Sequence, residues 1–134
     1  MSASTKFGIQ IDQDGLSYET IKSIAVEAER LGFDSLWLLD HLFFSDRPYL
    51  ESWMTLSAIA VATEKLRLGT LVTCNSFRQP SLLAKMAATL DVVSRGRLEF
   101  GIGAGWSEKE ALAYGIPFDN PAARIRQLRE AVQV

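Results

Sequence analysis

Apolar positions along the chain alternate between two periods. Phe7-Gly8-Ile9-Gln10-Ile11 is a short apolar run that predicts a first strand. After Ser17, the positions Tyr18, Ile21, Ile24, Ala25, Ala28 and Leu31 keep the three–four–seven spacing of one buried helix face. Ser17 stands where a helix is capped and Gly32 where one ends. Ser35-Leu36-Trp37-Leu38-Leu39 lacks polar alternation, the pattern of a parallel strand covered on both faces. Beyond Pro48, Trp53, Leu56, Ile59 and Ala60 trace a second helix, and Leu66 to Thr73 a third strand. Pro80 opens a third helix, with Leu82, Leu83, Met86, Ala87, Leu90 and Val93 on its apolar face. A fourth strand begins at Leu98, and Asn120-Pro121 opens a last helix carrying Ile125, Leu128 and Val132.

The strands start near residues 6, 34, 66 and 98, a period of roughly 30 residues, the size of one βαβ unit. Such alternation predicts an α/β fold with parallel strands. A doubly wound sheet and a (β/α)8 TIM-type barrel compete at this point; the four βα units are half of a barrel's eight. The final residues, Arg129 to Val134, keep a helical pattern with no stop signal behind it. The expectation is the N-terminal half of a barrel that breaks off within its last helix, or a protomer that pairs to bury its open sheet.

Leu98-Glu99-Phe100-Gly101-Ile102-Gly103-Ala104-Gly105-Trp106 reads as a buried strand running into a turn with few side chains. Ser107-Glu108-Lys109-Glu110 follows with the pattern of a capping box, so a helix starts there. A strand, a glycine turn and a helix N-terminus together can receive an anionic or planar ligand. The glycine spacing is not the dinucleotide fingerprint, and no Gly-Lys-Ser/Thr follows to make a triphosphate loop. Small residues here also let a strand pack closely inside a barrel.

Composition narrows the partners. The 134 residues are 48% hydrophobic and 22% charged, an ordinary globular balance. Fourteen basic against sixteen acidic residues give a net charge of −2, which argues against nucleic acid as a partner. Arg124, Arg126 and Arg129 spread over more than one helix face, as a solvated surface does. A single cysteine and a single histidine exclude a disulfide framework and make a structural metal centre improbable. No apolar run is long enough to span a membrane, and Met1 to Lys6 lacks a signal-peptide core, so a cytoplasmic protein is expected.

Several segments, taken in order, carry a resemblance. They are Leu36-Trp37-Leu38-Leu39-Asp40-His41, Leu68-Gly69-Thr70-Leu71-Val72-Thr73, Pro80-x-x-x-Ala84-Lys85-x-Ala87-x-x-Leu90-Asp91, Ser94-x-Gly96-Arg97-Leu98-x-x-Gly101-Ile102-Gly103-Ala104-Gly105-Trp106 and Glu110-x-x-x-Tyr114-Gly115-Ile116-Pro117-Phe118. As a set they resemble the luciferase-like monooxygenase family, and within it the oxidoreductases that use the deazaflavin coenzyme F420. The resemblance implies an incomplete TIM barrel with its cofactor at the C-terminal ends of the strands. It also implies a bulge with a non-proline cis peptide at Leu71–Val72, backing the ring.

On the same resemblance, His41 is the catalytic proton donor or acceptor, and Asp40 contacts the cofactor or caps the following turn. An imidazole with an ordinary pKa of about 6.5 suits the proton that must leave a hydroxyl when hydride leaves its carbon. Leu71, Val72, Asn75, Gly103, Ala104, Gly105 and Trp106 are the further cofactor-binding candidates. Asn75 could bond a ring carbonyl or simply serve its turn, and Trp106 could stack on a ring or pack on the next helix. Cys74 has no basic neighbour in sequence to activate it, which suits a buried small residue better than a nucleophile.

The sugar-phosphate dehydrogenases of the family carry a Glu where Trp106 stands and a Trp where Ser45 stands. These departures point toward the broader deazaflavin and flavin reductases. The expected function is hydride transfer between F420 and a small organic substrate. The alternatives are an FMN-dependent luciferase-like monooxygenase, or a flavin-binding or oligomerising remnant without turnover. In the family the cofactor phosphate is held largely by loops after later strands, so weak or no cofactor binding by a monomer of these 134 residues is expected.

Overall fold

A computed structural model describes residues 5–134; the first four residues, part of the segment read as lacking a signal-peptide core, lie outside it. Strands β1 (Gly8–Ile11), β2 (Ser35–Leu38), β3 (Arg67–Thr70) and β5 (Leu98–Glu99) form one parallel sheet in the order β1-β2-β3-β5. Each strand lies beside its neighbour in sequence and the order never reverses. A doubly wound sheet needs such a reversal, so the chain is a segment of a barrel. Helices α1 (Tyr18–Leu31), α2 (Ser52–Ala62) and α3 (Pro80–Ser94) are the crossovers.

Register explains which face is buried. Ile9, Leu36, Leu68 and Leu98 pair across the sheet, as do Ile11, Leu38 and Thr70. The apolar members of these rows pack with Ile21, Leu56, Ile59, Leu83 and Leu90 of the helices into the core. The alternate row, Gln10, Trp37, Gly69 and Glu99, lies on the other face, which no element among the described residues covers. The unbroken apolar pattern of Ser35 to Leu39 suits a strand covered on both faces; here one face is core and the other is open, the open sheet expected of half a barrel. Trp37 lies across Gly69, where an added Cβ would sit 2.8 Å from the indole.

Local signals at both ends of α1 act as their chemistry predicts. The Ser17 side chain accepts from Thr20 N, and Gly32 takes the left-handed conformation at φ 83°. Ile24 and Leu31, predicted on its buried face, are instead partly exposed and line an apolar groove with Ile9 and Phe33 beside β1. At the lower end of the sheet Arg97 is buried and donates to the carbonyls of Ala60, Thr63, Leu66 and Ser94, tying the ends of α2 and α3 together. Glu29 does similar work for the loop before β3, accepting from the backbone N–H groups of Glu64, Lys65 and Leu66.

The predicted third and fourth strands are each broken. Beyond β3 the Leu71–Val72 peptide is cis, and the chain resumes as β4 (Thr73–Cys74), which pairs in parallel with β6 (Ile102–Gly103). The hydroxyls of Thr70 and Thr73 bond to each other across the interruption. Leu71 and Val72 are thereby turned outward, 49% and 43% exposed. The glycines opposite make room for this bulge: a Cβ at Gly103 would lie 2.8 Å from Val72 Cγ2, and one at Gly101 3.2 Å from Val72 Cγ1. After β6 come the short α4 (Glu108–Ala113) and α5 (Pro121–Ala131), with Asn120 capping α5 through Ala123 N. Ile125 and Val132, predicted to be apolar-face residues, are exposed because α5 buries no residue fully. Among the described residues no helix is long and apolar enough to cross a membrane.

Candidate active site

The C-terminal ends of the strands meet around a cavity of about 180 Å³. Asp40 and His41 reach it from the end of β2, Leu71 to Cys74 from the bulge and β4, and Gly105 and Trp106 from the turn after β6. Ser76, Phe77, Ser107, Glu110 and Phe118 complete the lining.

The proposed capping box is not what forms at α4. Ser107 makes no side-chain cap bond, and Glu110 does not reach back to it. Glu110 is instead 1% exposed, and its Oε2 lies 2.8 Å from His41 Nδ1 while its Oε1 accepts from Leu42 N and Phe43 N. A carboxylate accepting two backbone N–H groups acts as an acceptor toward the imidazole too, so Nδ1 carries the proton. In the neutral imidazole Nε2 is then the ring nitrogen that carries the lone pair. The rings of Phe44, Tyr49 and Trp106 stand edge-on around His41 at 5.3, 6.3 and 5.7 Å between centroids. Tyr49 donates to Gln13 Oε1, and burial, then the charges of Asp12 and Glu110, push its phenol well above the ordinary range, so it stays protonated.

Asp40 does not cap the turn that follows it. Its carboxylate accepts from Ser52 Oγ at 2.6 Å, from Cys74 N at 2.7 Å and from both ends of the Arg78 guanidinium at 2.7 and 2.9 Å. Arg78 bonds Glu51 as well, and Glu51 in turn caps α2 through Met54 N. The network ties the end of β2, the start of α2 and the strand after the bulge to one another. Every lone pair of Asp40 is engaged, although the residue lines the cavity.

The structure thus gathers Asp40, His41, Leu71, Val72, Gly105 and Trp106 at one cavity. Gly103 and Ala104 do not line it: Gly103 pairs with Cys74 in the ladder and makes space for Val72. Asn75 lines the adjoining cavity beside α5, buried, with its carboxamide oxygen lacking a hydrogen-bond partner among the described residues. Gly105 takes φ 76°, and a Cβ there would meet Cys74 Sγ at 2.7 Å. Cys74 is buried, and that burial pushes its thiol upward, consistent with a packing role. Sequence reading missed Arg78, Ser52 and Glu51 altogether, and gave Glu110 the wrong partner. The one local hint was an acidic residue at the third position of a helix beginning in a glycine turn.

Comparison with known proteins shows the family. The luciferase-like monooxygenase family model matches residues 1–134. An F420-dependent glucose-6-phosphate dehydrogenase from Microbacterium testaceum (strain StLB037) is 31% identical over 140 residues, covering the whole of this chain and 41% of the relative. An F420-dependent secondary alcohol dehydrogenase, solved with an F420-acetone adduct, superposes with a TM-score of 0.87 at 27% identity, over 98% of this chain and 41% of that one. The monooxygenase RslO1 from Streptomyces bottropensis gives a TM-score of 0.81 at 30% identity, over 96% and 42%. The chain therefore spans about two fifths of the length of the proteins it matches. It belongs to the luciferase-like monooxygenase family.

Proposed function

We propose that this chain carries the ring-binding and proton-transfer side of an F420-dependent oxidoreductase acting on a small organic substrate. The observation that carries the reading is the His41–Glu110 pair, held open beside an apolar shelf. Leu71 and Val72 present exposed aliphatic side chains at the cavity that Trp106 also lines, and this suits the face of a planar ring. When bound, a deazaflavin supplies the hydride acceptor or donor.

The chain's own residues do the rest. His41 Nε2 takes the proton of a substrate hydroxyl or returns it, and Glu110 stabilises the imidazolium that forms. Asp40 acts through Cys74 N and Arg78, which hold the shelf in place. Trp106 and Phe44 keep water from the imidazole. The open sheet face and the free edges of β1 and β5 are where further βα units or a second copy close the barrel.

Titration of the 134-residue chain with F420 and, separately, FMN tests the reading, with the mass in solution recorded alongside. The expected result is saturable F420 binding that weakens about tenfold in Val72→Ser, which removes aliphatic surface from the shelf. Binding of FMN alone turns the reading toward a flavin monooxygenase. Binding of neither contradicts it.

A further inference from the structure

Gln13 is 0% exposed, in the loop that follows β1, and it does not line the cavity. A buried carboxamide is costly unless its two N–H groups and its oxygen find partners. Here they all do. Nε2 donates to Leu39 O at 2.9 Å and to Leu50 O at 3.4 Å. Oε1 accepts from Leu39 N at 3.0 Å and from the Tyr49 hydroxyl at 3.2 Å. The two Leu39 contacts fix which way round the carboxamide lies, since a backbone N–H must meet its oxygen and a backbone carbonyl its nitrogen.

The last pair in the ladder between β1 and β2 is Ile11 with Leu38, so Leu39 lies beyond it. The Gln13 carboxamide takes both the N–H and the carbonyl of Leu39, as a peptide group of a neighbouring strand would. It carries the order of the sheet one residue further, to the residue directly before Asp40 and His41. Its other two contacts hold Tyr49 and Leu50, and the Tyr49 ring stands edge-on to His41 at 6.3 Å and 87°. One side chain therefore ties the stem of His41 to the aromatic ring beside it, while Glu110 holds the imidazole itself at Nδ1.

We infer that Gln13 is a positioning residue for proton transfer at His41, acting through the Leu39 backbone and Tyr49 to keep Nδ1 on Glu110. The inference rests on the proton-transfer reading of His41 above. Without the carboxamide, the Leu39 N–H and carbonyl and the Tyr49 hydroxyl lose their partner together. The stem is then free to turn, and the imidazole leaves Glu110 for part of the time. Nε2 no longer holds the lone pair throughout, and the ring cannot take a proton there when its own proton has moved to that nitrogen.

The long-range 15N–1H spectrum of the chain's single imidazole tests this, recorded while the ring is neutral, together with the cross-peaks between the Tyr49 and His41 rings. Gln13→Met fills similar space without the hydrogen bonds. It is expected to exchange the Nδ1-protonated pattern for a mixture of tautomers and to lose the cross-peaks. Gln13→Glu keeps an oxygen for Leu39 N and Tyr49, and should recover most of the native pattern. Leu90→Ala, a core truncation in α3, should lower Tm and leave both signatures unchanged. A native pattern in Gln13→Met overturns the inference, as does a Gln13→Glu spectrum no nearer to native than that of Gln13→Met. The same loss in Leu90→Ala overturns it too, because the effect would then be one of stability. If Gln13→Met does not fold, Tyr49→Phe decides: the ring at position 49 should lose its cross-peaks to His41, and their persistence overturns the inference. The expected signatures in a chain that does not bind F420 defeat the oxidoreductase reading alone. F420 binding with signatures indifferent to position 13 defeats this inference alone.

Discussion

Glu110 holds His41 through Nδ1 at 2.8 Å, across 69 positions of sequence. The same carboxylate takes the N–H groups of Leu42 and Phe43, so it fixes the loop that carries the imidazole as well as the ring's tautomer. An acid that reads locally as part of a helix cap thereby becomes the partner of the chain's single histidine.

That lone histidine makes the tautomer directly readable. The long-range 15N–1H spectrum of the imidazole should show the proton on Nδ1 in the native chain. In Glu110→Gln it should show exchange between tautomers. Glu110→Ala also strands three partly buried donors, and urea unfolding should register a loss of about 2–4 kcal/mol.

Arg78 and Asp40 are both nearly inaccessible, their side chains 9% and 0% exposed. Removing one partner leaves the other charge buried and unpaired. Arg78→Met should lower stability by about 3–5 kcal/mol in denaturant titration. Arg78→Lys should restore little, because a single ammonium replaces two guanidinium contacts.

Gly105 couples to Cys74. Gly105→Ala meets both a positive φ and the Cys74 sulfur, so a loss of about 1–3 kcal/mol is expected. Combining it with Cys74→Ala removes the clash and leaves the backbone strain. A double-mutant cycle should therefore show the pair to be less costly than the sum of its parts.

Two buried or partly buried groups contribute, with opposite signs, to how stability varies with pH. Burial pushes Glu29 upward, but the N–H groups of Lys65, Leu66 and Glu64 and the charge of Arg97 outweigh it and hold the carboxyl below 4.5. Its contribution is therefore present above pH 4.5 and lost as pH falls below it. Glu29→Gln should flatten the decline between about pH 5 and 3 seen in pH-dependent unfolding. Cys74 runs the other way. Burial, and beyond it the carboxylates of Asp40 and Glu110, raise its thiol above 9.0, so its contribution is complete below that pH and lost as pH rises. Thiol reagents should label it in guanidinium and scarcely at all in the native chain at pH 8.

The fold was legible where its causes are local. Ser17 and Gly32 delimit α1 because a cap and a left-handed glycine need only their own turn. That the strands run parallel followed from the βα rhythm; their order did not, since the same rhythm fits a doubly wound sheet and a barrel. The break at Leu71–Val72 has no signature in the period of the third strand, since the room for Val72 comes from glycines of the fourth; only the family resemblance pointed to it. Glu110 was misassigned for a similar reason, its partner lying in another βα unit. Ile24 and Leu31 kept helical periodicity yet stayed exposed, because periodicity shows that a face is apolar and not what covers it.

In the proposed function a deazaflavin ring sits against Val72 beside His41. Nuclear Overhauser spectra of the 15N,13C-labelled chain with F420 test it most directly, since they detect weak binding too. Cross-peaks are expected from the ring protons of F420 to the methyls of Val72 and to the His41 imidazole, both lost in Val72→Ser. Cross-peaks confined to other residues, or none at saturating F420, would contradict it.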